Sequence, residues 1–220
     1  MLSTTELEKI FNEKKDNYLK ELAKFISFKS ISAEKEHFND CLACADWLIE
    51  HLEKIGLNSK ILKTSRHPTV YAEKIVNPSA KTLLIYGHYD VQPAEKNDQW
   101  LTDPFELSIK GNDFFARGAI DNKGQTFYII KAVEELIKKN QLNVNIKFLI
   151  EGQEESGSTD TIEALSNWQE ELKSDYLLIC DTAMMAEDKP VIVIGMRGVS
   201  AFNLKLSGPN SDLHLSLIHI

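Results

Sequence analysis

The residues in this chain best suited to chemistry stand where apolar runs end. Leu83-Leu-Ile-Tyr86 is followed by Gly87-His88-Tyr89-Asp90. Asn145-Ile-Lys-Phe-Leu-Ile150 leads into Glu151-Gly152-Gln153-Glu154-Glu155-Ser156-Gly157-Ser158, and Tyr176-Leu-Leu-Ile-Cys180 leads into Asp181. A fourth carboxylate, Asp121, lies in Arg117-Gly-Ala-Ile-Asp-Asn-Lys-Gly124, just ahead of a helical pattern. Taken singly, each of these acids could be a helix cap or a solvated loop residue. In open α/β proteins, however, ligands bind beyond the carboxyl ends of the sheet strands. Four such positions at one sheet edge would crowd like charges, which repel unless a cation neutralises them. One histidine with several carboxylates suits a divalent ion such as zinc or manganese, whereas an all-oxygen set would suit magnesium or calcium.

Two local relations sharpen this reading. His88 and Asp90 are two apart at a strand end and point to the same side, so Asp90 can accept the second ring N–H of a metal-bound His88. The alternative is an exposed loop histidine beside a turn aspartate. Glu154 and Glu155 are adjacent in a loop and point in different directions. One can bind metal while the other remains free as a general base.

The elements that must position these groups follow from periodicity. Apolar residues at helical spacing (Leu7, Ile10, Phe11, Tyr18, Leu22, Phe25) predict a helix over 4–26. A second helix is predicted from Glu34 to Ile55, with Gly56 as its stop. Strands are predicted at Thr69–Ala72, Thr82–Tyr86, Val144–Ile150 and Tyr176–Cys180, the last read as buried, with helices at Gln125–Lys139 and Thr159–Trp168. Strands alternating with helices imply a three-layer α/β/α sandwich around a mostly parallel sheet. After about Gly195 the texture changes. Val199–Leu206 alternates like a half-exposed strand, and the turn-rich Ser207-Gly-Pro-Asn210 follows.

Composition excludes some classes. The 220 residues carry a net charge of -8, which disfavours nucleic acid or an anionic membrane as main partner. No apolar stretch approaches the ~20 residues of a membrane helix. The start, Met1-Leu-Ser-Thr-Thr-Glu6, shows no secretory signal, and three cysteines (Cys41, Cys44, Cys180) cannot all pair, so a cytoplasmic setting is the default expectation. Cys41 and Cys44 form a C-x-x-C inside a predicted helix with no second pair, which reads as core packing. Arg197 could meet a substrate carboxylate or form a hinge salt bridge.

The motifs Gly87-His-Tyr-Asp-Val-Gln-Pro93, Trp100 to Phe105, Arg117-Gly-Ala-Ile-Asp-Asn-Lys-Gly124 and Glu151-Gly-Gln-Glu-Glu-Ser-Gly-Ser158 occur in this order. Together they resemble the di-zinc exopeptidase family of carnosine dipeptidase, aminoacylase, glutamate carboxypeptidase and succinyl-diaminopimelate desuccinylase. The forms Gly-His-Tyr-Asp-Val-Gln-Pro and Asp-Asn-Lys-Gly point to the dipeptidase branch, and Ser207 to His214 resembles the start of its α+β lid, or dimerisation, domain. The resemblance implies a catalytic domain over 1–194 and the beginning of the lid over 195–214.

Carried over residue by residue, it implies two divalent metal ions, zinc or manganese. Asp121 bridges them, His88 and Asp181 complete one site, and Glu155 belongs to the other. Glu154 is the general base and then the acid, Asp90 orients His88, a cis peptide follows Asp121, and His214 stabilises the oxyanion across a homodimer. The implied reaction is metal-assisted hydrolysis of a dipeptide amide bond. The alternatives are an N-acyl-amino-acid deacylase of the same chemistry and a non-catalytic metal-binding module. The family's last histidine ligand has no counterpart here, and His214 is followed by Leu-Ser-Leu-Ile-His-Ile instead of Ser-Gly. Residues 215–220 are therefore expected to be foreign to the pattern, and the chain alone to be inactive.

Overall fold

The structure is a computed structural model that describes residues 3–186, 189, 191–195, 198–208, 214 and 216. Arg197 and most of the segment after Gly208, including 209–213, 215 and 217–220, lie outside the described residues. The chain divides into two units, Met1–Ala183 and Met184–Ile220.

The first unit begins with helix α1 (Thr4–Ile26), opened by a capping box in which Ser3 and Glu6 satisfy each other's backbone N–H. Helix α2 (Phe38–Lys54) follows, then strands β1 (Asn58–Leu62), β2 (Thr69–Lys74) and β3 (Thr82–His88). A short hairpin of β4 (Ser108–Lys110) and β5 (Asp113–Phe115) precedes helix α3 (Lys123–Lys138). Strand β6 (Asn145–Glu151), helices α4 (Thr159–Ala164) and α5 (Gln169–Leu172), and strand β7 (Tyr176–Ile179) complete it. The sequence pattern locates α1, α2, α3, β2, β3 and β6 to within a few residues. It misses β1 and the β4–β5 hairpin, whose short runs lack a clear apolar period.

The five-stranded sheet has the order β1-β2-β6-β3-β7. Strand β3 lies between β6 and β7 and is parallel to both, while β1–β2 and β2–β6 pair antiparallel. The sheet separates two cores, as alternating side chains require. Val70, Ala72, Ile85, Ile146, Phe148 and Ile150 pack on one face with α1, α2 and α3. Leu62, Tyr71, Leu84 and Leu149 meet Ala164 and Trp168 on the other. The result is the expected three-layer sandwich. Each fully buried Ile or Phe contributes roughly 1.5–3 kcal/mol, so the α1–α2–α3 face is the larger source of stability. Cys41 and Cys44 sit fully buried in that core, and all three cysteines are free thiols.

Two sequence expectations need correction. Tyr176–Ile179 forms a strand, but an exposed one, with Tyr176 at 61% and Leu177 at 58% exposure. Among the described residues it pairs with β3 alone, forms the sheet edge and is exposed along its whole length. The expected strand over Val199–Leu206 does not form. Val199, Phe202, Leu204 and Leu206 are exposed in irregular backbone, because a strand without a neighbour to pair with is marginal in water. In the second unit the described residues hold one isolated bridge, Ala186 with Lys189.

Candidate metal centre

The carboxyl ends of β3, β6 and β7 and the start of α3 meet at one edge of the sheet. His88 ends β3 and is fully buried. Its Nε2 lies 3.1 Å from Asp121 Oδ1, 3.6 Å from Asp181 Oδ2 and 3.9 Å from Glu154 Oε2. On the other side of the ring, Nδ1 is 3.0 Å from the backbone carbonyl of Asp90 and 3.4 Å from its Oδ1. Both the main chain and the carboxylate of Asp90 thus face the ring nitrogen that points away from the other acids.

Close approach makes this convergence possible. A Cβ at Gly87 would stand 2.4 Å from Thr126 Oγ1 and 2.9 Å from Asn122 Oδ1, so only glycine lets the first turn of α3 lie against β3. Gly152 similarly admits the ring of Tyr89, whose hydroxyl would lie 2.1 Å from a Cβ there. Asn122, fully buried, joins three elements. Its Oδ1 accepts from His88 N at 3.3 Å and Thr126 Oγ1 at 2.7 Å, and its Nδ2 donates to Cys180 O at 2.7 Å and Asp181 Oδ1 at 2.9 Å. The peptide bond Asp121–Asn122 is cis.

Asp90, also fully buried, accepts Glu154 N at Oδ1 (3.1 Å) and Glu155 N at Oδ2 (3.0 Å), and so fixes the loop that carries both glutamates. The Glu155 carboxylate accepts from Gln92 Nε2 at 2.7 Å. Sequence reasoning placed Asn122 and Gln92 inside motifs but gave them no task, because their partners are set by the fold. His214 belongs to the second unit, where it is exposed and its Nδ1 lies 2.9 Å from Ser216 Oγ.

The charges are unbalanced. Among the described residues, no Lys or Arg pairs with Asp90, Asp121, Glu154, Glu155 or Asp181, and His88 is the one ionic partner of Asp90, Asp121, Glu154 and Asp181. Burial opposes charge on His88, but the carboxylates of Asp181 and Asp90 outweigh it and raise the imidazole to about 11. The His88 contact in turn holds Asp181 below the usual carboxylate range. Desolvation pushes Glu154 up, aided by the charges of Glu155, Asp181 and Asp90 and opposed by His88. Desolvation also raises Glu155, with Asp121 adding to it and Gln92 opposing. The cluster demands positive charge that the described residues do not provide.

A divalent cation fits that demand. One ligand atom each from His88, Asp121 and Asp181 can be chosen so that all lie within 4.8 Å of one another. Tetrahedral ligands at ~2.0–2.1 Å from zinc stand about 3.4 Å apart, and the 3.1 and 3.6 Å separations from His88 Nε2 bracket that value.

A second group of metal-capable side chains, Glu21, His51 and Glu134, lies between α1, α2 and α3. It fits a metal poorly. Lys131 contacts Glu21 and lies 2.6 Å from Glu134, Lys138 contacts Glu134, and Lys14 lies 2.5 Å from Glu135. Ammonium groups already occupy the places a metal would take. The set Glu34, Glu36 and His37 is not enclosed, and the His37 ring lies against Asp40 at 2.7 Å.

Comparison with known proteins identifies the family. The sequence pattern of peptidase family M20/M25/M40 matches residues 84–214. The Cys-Gly metallodipeptidase of Schizosaccharomyces pombe is 34% identical over 229 residues, which cover 97% of this chain and 48% of the relative. The human Beta-Ala-His dipeptidase is 40% identical over 150 residues, covering 67% of this chain and 30% of the relative. The crystal structure of human carnosine dipeptidase 1 superposes with a TM-score of 0.75 at 29% identity, over 79% of this chain and 40% of that one. An M20 family metallo-carboxypeptidase from Sulfolobus solfataricus superposes with a TM-score of 0.71 at 40% identity, over 76% of this chain and 38% of that one. The chain spans about half the length of the curated relatives it matches most fully.

Proposed function

We propose that this chain, which belongs to peptidase family M20/M25/M40, carries most of the metal-binding and acid–base groups of a metallo-dipeptidase. The observation that carries the proposal is the cation-demanding cluster at the ends of β3, β6 and β7, in which, among the described residues, the buried imidazole of His88 alone pairs with four carboxylates and Glu155 stands close by. His88, Asp121 and Asp181 hold one divalent ion, and Asp121 with Glu155 serves a second. Zinc, with manganese as the alternative, is the ion that a mixed imidazole and carboxylate set favours.

When bound, such ions supply Lewis acidity toward a carbonyl oxygen and toward water. The remaining work falls to the side chains. Glu154, 3.9 Å from His88 Nε2 and with no Lys or Arg partner among the described residues, takes the proton of the attacking water and returns it to the departing amine. Its carboxyl is raised by burial and neighbouring acids, which brings its basicity closer to that of a working proton acceptor. Asp90 fixes the tautomer of His88 from the Nδ1 side and holds the Glu154–Glu155 backbone. His214 as oxyanion group across a homodimer, built through the segment after Gly195, is part of the same proposal. It is supported by the resemblance of Ser207–His214 to the start of a lid. A cytoplasmic setting is supported by three free thiols, and no helix of the described residues is long and apolar enough to cross a membrane.

The test is a substrate panel with the intact protein that carries this sequence, supplied with zinc or manganese. Cys-Gly and β-Ala-His should be hydrolysed faster than N-acetyl amino acids. The reverse order would select the deacylase alternative. No hydrolysis of either class, with metal bound, would leave the non-catalytic reading in its place.

A further inference from the structure

We infer that Ser32, distant in sequence from every motif above, is a positioning residue of the metal centre, acting through Asp90. The inference rests on the proposed metal site. Ser32 is 2% exposed, and its Oγ donates to Asp90 Oδ2 at 2.6 Å. The other two donors to the Asp90 side chain are the backbone N–H groups of Glu154 and Glu155. Ser32 is thus the one side-chain hydroxyl among the described residues that reaches this carboxylate. A carboxylate has about four acceptor positions, and with three filled from two directions its plane cannot swing. That plane matters because the same residue faces His88 Nδ1 and carries the glutamate loop.

The segment that presents Ser32 is itself fastened on both sides. Ser30 Oγ donates to Tyr89 O at 2.7 Å, and Val91 N donates to Ser30 O at 3.0 Å, so residues 30–32 clamp the stretch 89–91 that continues β3. Upstream, the buried ammonium of Lys123 donates to Phe28 O at 2.7 Å and Phe25 O at 3.1 Å. Those are carbonyls at and just past the C-terminal end of α1, where a cation is favoured. Lys123 opens α3 directly after Asp121–Asn122. The 25–32 segment therefore spans from the Asp121 side of the site to the Asp90 side. Ser156 Oγ, 3.0 Å from Ser32 Oγ, closes the arrangement from the glutamate loop.

Removing the Ser32 hydroxyl leaves Asp90 Oδ2 with a single donor in a buried setting, where an under-satisfied acceptor is costly. Loss of a partner in the shell around metal ligands typically weakens metal binding or activity 10–100-fold. The experiment is zinc affinity of the purified chain, measured by competition with a chromophoric chelator, for wild type, Ser32→Thr and Ser32→Val. Thr and Val have the same shape and differ in the hydroxyl. Thermal unfolding in chelator reports whether each variant is folded before metal is added. The expected result is near wild-type affinity for Ser32→Thr and about tenfold weaker binding for Ser32→Val. Equal affinities for Thr and Val overturn the inference. If the added methyl prevents folding in both, Ser32→Ala against wild type makes the same comparison without extra bulk, and an unchanged affinity overturns it. His88→Ala and Asp121→Asn are measured beside them. If these bind zinc as tightly as wild type, the underlying metal site is wrong. If they are weakened and Ser32→Val is not, only the role of Ser32 is wrong.

Discussion

Two clusters of charged side chains sit within this small unit, and they are built on opposite plans. Between α1, α2 and α3, the carboxylates of Glu21, Glu134 and Glu135 interleave with the ammonium groups of Lys14, Lys131 and Lys138. At the carboxyl edge of the sheet, Asp90, Asp121, Glu154 and Asp181 share, among the described residues, a single imidazole, with Glu155 beside them. In the first, each charge meets its opposite, and the cluster ties helices together. In the second, the like charges favour protonation of one another and stabilise any cation placed among them. Histidine shows the contrast. His51 in the helix cluster is stacked on Trp47 at 4.7 Å, and its pKa is pushed down to about 4 by burial and then by Lys131. His88 is also buried, yet its acidic neighbours raise it to about 11. The sign of the surrounding charge, and not burial, separates a structural cluster from a candidate site.

The largest effect that would break or sharpen this contrast concerns Glu154. In the intact protein, Glu154→Gln should lower dipeptide turnover about 10²–10⁴-fold, the usual worth of a general base. Bound metal, measured by atomic emission, should stay near the wild-type amount. Retained turnover would remove Glu154 from the chemistry.

A paired comparison follows. Asp121→Asn should weaken zinc binding strongly with a small change in metal-free stability. Glu134→Gln should do the opposite. It takes from Lys131 and Lys138 a carboxylate they share, leaving Lys131 with Glu21 alone among the described residues, and losing a hydrogen bond to a charged group costs about 1.5–3 kcal/mol, while zinc affinity is untouched. Denaturant unfolding and chelator competition on both variants read the two quantities. If the two variants behave alike, the clusters do not differ in the way described.

Zinc itself should stabilise the folded chain. At a free concentration a hundredfold above its Kd, linkage predicts about 2.7 kcal/mol, visible as a rise in Tm that Asp121→Asn abolishes and His51→Phe leaves intact. The smallest effect is a pH slope from the helix cluster. His51 is lowered in the folded state, so above pH 6.5 it is neutral in both states and adds no slope. As pH falls below 6.5 the unfolded chain takes the proton first, and stability is lost until about pH 4. Between pH 6.5 and 5 this amounts to about 2 kcal/mol. Metal-free wild type should show that loss, and His51→Phe should flatten it.

Much of the candidate site was legible before any coordinates. His88, Glu154 and Asp181 each follow an apolar run, and the carboxyl end of such a run is where an α/β sheet presents its ligands, while Asp121 stands just ahead of a helical pattern. Apolar periodicity alone locates β2, β3 and β6, because strands buried on both faces leave long apolar stretches. The same signal failed for Tyr176–Ile179. Composition reports that a strand is apolar, but it does not report whether another layer covers it.

What the sequence determines here is the set of local states: which segments become helix or strand, where a capping box or an obligatory glycine fixes the backbone, and which acids end the strands. These depend on neighbours a few residues apart, so they are written locally. The tertiary structure alone decides the pairings over long separations. It seats the Ser32 hydroxyl on Asp90, lays Asn122 between His88 and Asp181, and sets Lys131 against Glu21 while leaving Asp121 with no ammonium partner among the described residues. The physical reason is that a hydrogen bond or ion pair depends on distance and direction in space. Two acids of the same type can therefore have opposite roles according to what the fold brings beside them.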